Sequence, residues 1–454
     1  MIENNEFDRR TFLRRGAMGA GAVWAASFGP FMARRAEGAA IASPYGPIAP
    51  TVDEVTGLML LSLPAGFRYR SYSWTGDVMA DDVRCPNLHD GMAVVDAQGN
   101  SGRIILVRNH EGGGGTPYLN KPSITYRNDA AGGTTNLIFN LRTGEWEKDW
   151  STLAGTNRNC AGGVTPWGTW ITGEETTDAG HGWSFEVDAQ KGDPTPLTAL
   201  GRFSHEAMMV DHNTGYVYET EDATPSGFYR FIPNVKGDLK HGGRLYMLKA
   251  LQGPAQDDFG PLGTIGQTWN CQWVPINDPE AKTTSCVQQG IAQGGAKFRR
   301  LEGCWWGTTK GYFLSTNGGP VSEGQVFEYD PFNETLKLIY ASPTANDLDN
   351  PDNMTVTPRG GLLLCEDAAG GTNIAAERMV GLTLDGNTFT FCENNVELTA
   401  NLIAIAGKTV APGNYRSQEF AGACYSPDGK WLFANIQTPG ITFAITGPWG
   451  SGPL

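Results

Sequence analysis

Basic charge is scarce in this sequence: 34 Lys and Arg stand against 48 Asp and Glu, a formal charge of −14 at pH 7. Polyanions are bound by converging Lys and Arg, so the balance argues against nucleic acid or an anionic membrane as a partner. Long apolar runs are scarce too. Beyond one Gly/Ala-rich stretch at 16–32, no segment is long enough to cross a bilayer. Helical patterning is thin, because 60 Gly and 27 Pro punctuate the chain. The clearest short helix is expected at 395–406. No clean internal repeat is visible. What remains is a large, acidic, turn-rich chain that can bind cations wherever its charges converge.

The N-terminal segment Asp8-Arg9-Arg10-Thr11-Phe12-Leu13-Arg14 resembles a twin-arginine export signal. The apolar stretch behind it is diluted by Gly16, Gly19, Gly21 and Gly29, and Ala40-Ile41-Ala42 offers a cleavage site before Ser43. Residues 1–42 are therefore expected to be a leader read by the Tat export machinery; an amphipathic helix is the other reading. Residues 43–454 are expected to form a single domain, periplasmic or secreted, with no stable membrane anchor. Removing the leader, with its six Arg and four acidic residues, takes the formal charge from −14 to −16. The Tat route carries proteins already folded, which favours a metal loaded inside the cell. In an exported chain, eight cysteines suggest disulfides. Cys271 and Cys286, bracketing a polar segment, are the expected pair. Cys85, Cys304, Cys365, Cys392 and Cys424 lie in or near apolar runs and are expected to be buried thiols.

Short β-like runs alternate with turn residues along residues 43–454. Asp330-Pro331-Phe332-Asn333 separates runs at 325–329 and 335–340, and Ser426-Pro427-Asp428-Gly429 separates 423–425 from 431–436. Pro358-Arg359-Gly360, Asp385-Gly386-Asn387 and Asp211-His212-Asn213-Thr214-Gly215 mark further hairpins. The fold class expected is all-β: a β-propeller, six-bladed with long loop insertions, whose loops gather at a central channel. A pair of β-sandwiches is the alternative. Residues 43–75 are expected to wrap the outside, and 235–300 to hold insertions.

Carboxylates recur where these strands end: Arg108-Asn109-His110-Glu111, Gly173-Glu174-Glu175, Ser204-His205-Glu206, Leu301-Glu302-Gly303, Asn350-Pro351-Asp352-Asn353 and Cys365-Glu366-Asp367. Burying a carboxylate unpaired is costly, so a shared set of cations is the simplest common cause. Oxygen donors suit calcium, and the thiolate of Cys160, flanked by Asn159 and Gly162-Gly163, admits a transition metal. A solvated acidic surface is the competing explanation. His110 and His205 could each orient a ligand or shuttle a proton, or be satisfied structural histidines.

The run Cys160-Ala161-Gly162-Gly163-Val164-Thr165-Pro166-Trp167-Gly168-Thr169-Trp170, followed by Glu174-Glu175, resembles the PhoX family of bacterial alkaline phosphatases. The likeness continues in order through Ser204-His205-Glu206-Ala207, Val217 to Asp222, Tyr229-Arg230-Phe231, Arg300-Leu301-Glu302-Gly303, Leu348 to Asn353, Cys365-Glu366-Asp367, Glu419 to Gly429, and Asn435 to Gly440. It implies a six-bladed propeller that hydrolyses phosphomonoesters with an iron–calcium cluster in its channel. On the matching motifs, Cys160 would be an iron ligand, with Glu206 bridging or ligating beside it. Glu174 or Glu175, Asn109, Glu302 and Asp352 would complete the iron and calcium shells, with Asn353, Glu366 and Asp367 next in line. Arg300 would clamp the phosphate, since its planar donor fork suits that anion. The chain is shorter than the phosphatases that define the family, and Cys304 adds a thiol after Glu302. A calcium-dependent propeller lactonase or esterase, and a non-catalytic calcium-stabilised binding propeller, stay open as alternatives.

Overall fold

Turn chemistry governs this chain's architecture. The computed structural model describes residues 40–97, 99–367 and 376–454. All but the last three residues of the expected leader lie outside them. Every hairpin read from the sequence forms. Gln325–Asp330 pairs with Thr335–Ala341, Pro351–Val356 with Leu362–Glu366, Arg378–Leu382 with Thr388–Asn394, and Phe420–Tyr425 with Trp431–Ile436. His205–Val210 pairs with Val217–Glu221 around Gly215, which adopts φ 75°, a conformation open to glycine.

Among the described residues the sheets are antiparallel and the helices short. Cys286–Ile291 and Ala400–Ala406 are the two α-helices. The second falls inside the expected 395–406 but starts later, because Glu397–Leu398 pairs with Gly413–Asn414 instead. Thr399 then caps it by accepting from the Leu402 N–H, and Gly407 ends it in the left-handed region.

The arrangement is all-β and propeller-like. Six strands, His89–Ala97, Asn159–Val164, His205–Val210, Leu301–Trp306, Pro351–Val356 and Phe420–Tyr425, each begin an antiparallel sheet. Each touches the next in that order, and the last touches the first. Sequential packing of this kind is not that of two facing sheets, so the sandwich alternative falls. Thr268–Pro275 joins the sheet begun at His205 to the one begun at Leu301, giving one nine-stranded sheet. Residues 43–75 supply outer strands, as expected. Arg68–Tyr72 pairs with Ile441–Thr446 and so ties the two ends of the described chain together.

The apolar core lies between neighbouring sheets. Met92, Ile104, Leu106 and Phe139 pack against Trp431, Phe433 and Ala444, while Ala93, Val107 and Leu153 pack against Trp170, Phe185 and Val187. Cys271 and Cys286 belong to two different clusters of this core, and all eight cysteines are free and buried. The expected disulfide is thus corrected: both thiols act as small hydrophobic groups.

Close approach of the first strands depends on glycine. A Cβ on Gly91 would sit 2.6 Å from the Ala161 Cα, and one on Gly303 2.6 Å from the Asp352 carbonyl oxygen. Both obstacles are backbone and cannot rotate away. Gly91→Ala is expected to cost about 1–3 kcal/mol by overpacking. Chemical unfolding of the purified variant checks this; unchanged stability would mean that the first strands have room to spare.

Candidate metal and phosphate site

The six first strands start with an irregularity that decides where their side chains point. In five of them the register slips directly after the first residue: between His89 and Met92, Asn159 and Gly162, His205 and Met208, Leu301 and Cys304, and Pro351 and Asn353. A bulge leaves residues outside the ladder and re-aims them. The residues so released include Asp90, Cys160, Glu206, Glu302 and Asp352. A second set directly follows the second strand of a sheet: Glu111, Glu175, Asp222, Asp367 and Gln437. Arg158, Arg300 and Glu419 directly precede a first strand, and both arginines take a left-handed backbone, φ 55° and 42°. Such strain collects at functional sites.

All of these positions but Asp90 line one cavity of about 160 Å³. Eight carboxylates line it, Glu111, Glu175, Glu206, Asp222, Glu302, Asp352, Asp367 and Glu419, with only Arg158 and Arg300 to oppose them. Cys160 and Gln437 complete the wall. The Cys160 Sγ lies 3.3 Å from Glu206 Oε1. Arg158 Nη2 pairs with Glu111 at 3.1 Å and Glu175 at 2.9 Å. Arg300 grips Asp222 through Nε at 2.8 Å and Nη2 at 3.2 Å, and Nη2 also reaches Glu302 at 2.8 Å. Gln437 Nε2 donates to Glu111 at 2.8 Å and Asp90 at 3.2 Å.

Crowding shows in the acidities. Burial, with Glu111 alongside, pushes the Glu175 carboxyl up to about 9 against the pull of Arg158. Burial and the Asp367 carboxylate push Asp352 up to about 7. Glu206 and Glu302 are driven well above the usual range by burial and then by carboxylate neighbours. Asp90 and Glu419 follow the same pattern. Burial, then Asp90 and Glu206, raises the Cys160 thiol.

Three donor sets have atoms within 4.8 Å of one another: Cys160, Glu175 and Glu206; Glu206, Glu302 and Asp352; Asp352, Asp367 and Glu419. Asp352 Oδ1 is buried with no hydrogen-bond partner. A buried acceptor left unpaired among like charges is what a cation would satisfy, so the residues fit metal binding. The first set mixes a thiol with carboxylates, and the other two are all oxygen.

Four expected ligands, Glu174, Asn109, Glu366 and Asn353, do not line this cavity, and the partners of the first three explain why. Glu174 accepts from the N–H groups of Asn157, Gly182 and Trp183 and meets His181 Nδ1 at 2.7 Å, leaving its neighbour Glu175 to face the channel. Asn109 donates to the Cys160 and Ala161 carbonyls and accepts from Trp170 Nε1, so it fastens the Cys160 strand. Glu366 is held by Arg378 at 2.7 and 2.6 Å and by the Asp349 N–H. Asn353 is buried and does not line the cavity, which its neighbour Asp352 does. Neither histidine reaches it: His110 bonds Thr135 and Asn87, and His205 bonds the Gly201 carbonyl. Asp90, Glu111, Arg158, Asp222, Glu419 and Gln437 were not expected, although most sit inside the motifs read from the sequence. A larger groove of about 550 Å³ lies elsewhere; there Lys240 pairs with Asp193 at 2.6 Å, Glu186 accepts from Trp167 and Thr169, and Asp188 accepts from the Gln190 and Lys191 N–H groups.

The alkaline phosphatase PhoX family model matches residues 43–149 and 130–440. The chain belongs to the PhoX alkaline phosphatase family. It is a phosphomonoester hydrolase of that class. Pseudomonas fluorescens PhoX, solved with the transition-state analogue vanadate, superposes with a TM-score of 0.63 at 18% identity, over 92% of this chain and 99% of that one. An auxiliary nutrient-binding protein of Bacteroides ovatus is more remote, at a TM-score of 0.40 and 9% identity over 84% of this chain and 77% of that one. No curated protein matches the sequence.

The raised carboxyls set a pH dependence. A group with a raised folded-state pKa keeps a proton that the unfolded chain releases near pH 4, so metal-free stability falls as pH rises through the folded values. For Asp352 and Glu175 that window runs up to about 7 and about 9. Thermal unfolding of chelator-treated protein is expected to show a falling Tm across it, and added calcium to flatten the slope. A metal-free Tm independent of pH would contradict the crowding.

Proposed function

We propose that this hydrolase works with an iron–calcium cluster in the carboxylate-lined cavity. The mixed thiol–carboxylate chemistry of the Cys160 set supports iron there, and the all-oxygen sets support calcium. Cys160, Glu175 and Glu206 would hold the iron. Glu302, Asp352, Asp367 and Glu419 would hold calcium, with Glu111 and Asp222 balancing the arginines. When bound, these cations neutralise the phosphate, align it, and lower the pKa of an attacking water.

The protein's own groups supply position and selectivity. Arg300 is the phosphate clamp: Asp222 holds its fork from behind, so the guanidinium is oriented before substrate arrives. The Asn109 bonds to the carbonyls of Cys160 and Ala161 fix the strand that carries the thiol. At about 160 Å³ the cavity is well below the roughly 300 Å³ floor of sites that enclose a whole small molecule. It fits a phosphoryl group and its cations and leaves the alcohol outside, so tolerance of many leaving groups is expected.

Counting one blade for each first strand gives six blades, formed by residues 43–454 as a single domain. The Tat-like leader makes the protein periplasmic or secreted. The observation that carries the reading is the convergence of eight carboxylates, a buried thiol and two arginines on one cavity in a chain of this family.

Hydrolysis of p-nitrophenyl phosphate is expected to require calcium, to stop with EGTA and to return when calcium is restored. Arg300→Ala should lower kcat/KM by roughly 100-fold or more, as loss of a charged transition-state contact does. Cys160→Ala should lose iron while the fold persists. Iron content unchanged in that variant would remove Cys160 from the ligand set.

A further inference from the structure

Arg158 and Arg300 occupy equivalent places. Each directly precedes a first strand, Asn159–Val164 or Leu301–Trp306, and each has a left-handed backbone. Each lines the same cavity with its side chain part-exposed, 47% and 41%, and each is anchored by two carboxylates. Their free donors differ. Arg300 spends Nε and Nη2 on Asp222 and Glu302, which leaves Nη1. Arg158 spends Nη2 alone on both Glu111 and Glu175. Its Nε and Nη1 have no partner among the described residues, which leaves three of the five guanidinium N–H donors uncommitted on a residue that lines a cavity whose one other basic group is Arg300.

We propose that Arg158 is a second phosphate-binding residue, so that the substrate's phosphoryl group is held from two sides by Arg158 and Arg300. This rests on the phosphomonoesterase reading of the cavity. A residue present only to neutralise Glu111 and Glu175 would need charge but no fork, and lysine would serve. A phosphate clamp needs the planar donor array that lysine lacks. Glu111 and Glu175 are then the struts that hold Arg158 at the mouth, as Asp222 holds Arg300, and Gln437 steadies Glu111 in turn.

The test is equilibrium binding of inorganic phosphate to metal-loaded wild type, Arg158→Lys and Arg300→Lys, read by calorimetry, with metal content measured on each sample. Arg158→Lys is expected to keep its metals and bind phosphate at least about tenfold more weakly, matched by a similar rise in the inhibition constant of phosphate. Wild-type affinity in Arg158→Lys would overturn the proposal, as would loss of metal in that variant or absence of phosphate binding by wild type. Wild-type protein that binds phosphate but hydrolyses no phosphomonoester would defeat the hydrolase reading separately, with the Arg158→Lys affinity still deciding the clamp.

Discussion

Repulsion among carboxylates at one end of a narrow channel is the constraint to which the rest of this molecule answers. Asp352, Glu206 and Glu302 are buried within reach of one another, and two arginines cannot balance eight acids. Without cations the remaining route is protonation, and the raised pKa values of Glu175, Asp352 and their neighbours express it. A fold that gathers such charge at a cost in its own stability does so to bind something positive.

Holding the charges together is a backbone problem before it is a side-chain one. A regular strand would send alternate residues to opposite faces and leave no common focus. The slips after Asn159, His205, Leu301 and Pro351 remove the following residue from the ladder, and each of those residues lines the cavity. Glycines then let neighbouring first strands approach: Gly91 rests against Ala161, and Gly303 against the backbone of Asp352 and Asn353. Asn109, Glu174 and Glu366 serve the same end from behind, tying down strands whose neighbouring residues face the cavity. The arginines follow a similar logic, since Asp222 spends its charge on orienting Arg300.

Much of this was legible in the chain because turns are local. The Asp330–Asn333 and Ser426–Gly429 segments carry their own geometry, and the hairpins around them form where the sequence puts them. Cys160, Glu206, Glu302, Asp352 and Arg300 also reach the cavity. Three of the four expected ligands that lie off the cavity share one pattern. Glu174 stands beside Glu175, Glu366 beside Asp367, and Asn353 beside Asp352; a shift of one residue changes the face. Nothing in the chain marks where a strand stops or a register slips, so the choice within each pair was open. That acids recur at strand ends was legible, but their common place after a second strand was not. Glu111, Glu175, Asp222 and Asp367 each follow a second strand, but loops of unequal length separate the sheets and erase any fixed period. The missing Cys271–Cys286 bond reflects tertiary packing, which sent the two thiols into different clusters.

The most direct test of this account is anomalous diffraction from crystals of protein prepared without chelator, at wavelengths that separate iron from calcium. The account predicts an iron peak in the set formed by Cys160, Glu175 and Glu206, and calcium in the two sets that share Asp352. Folded crystals grown near pH 8 with only water at all three positions would contradict it.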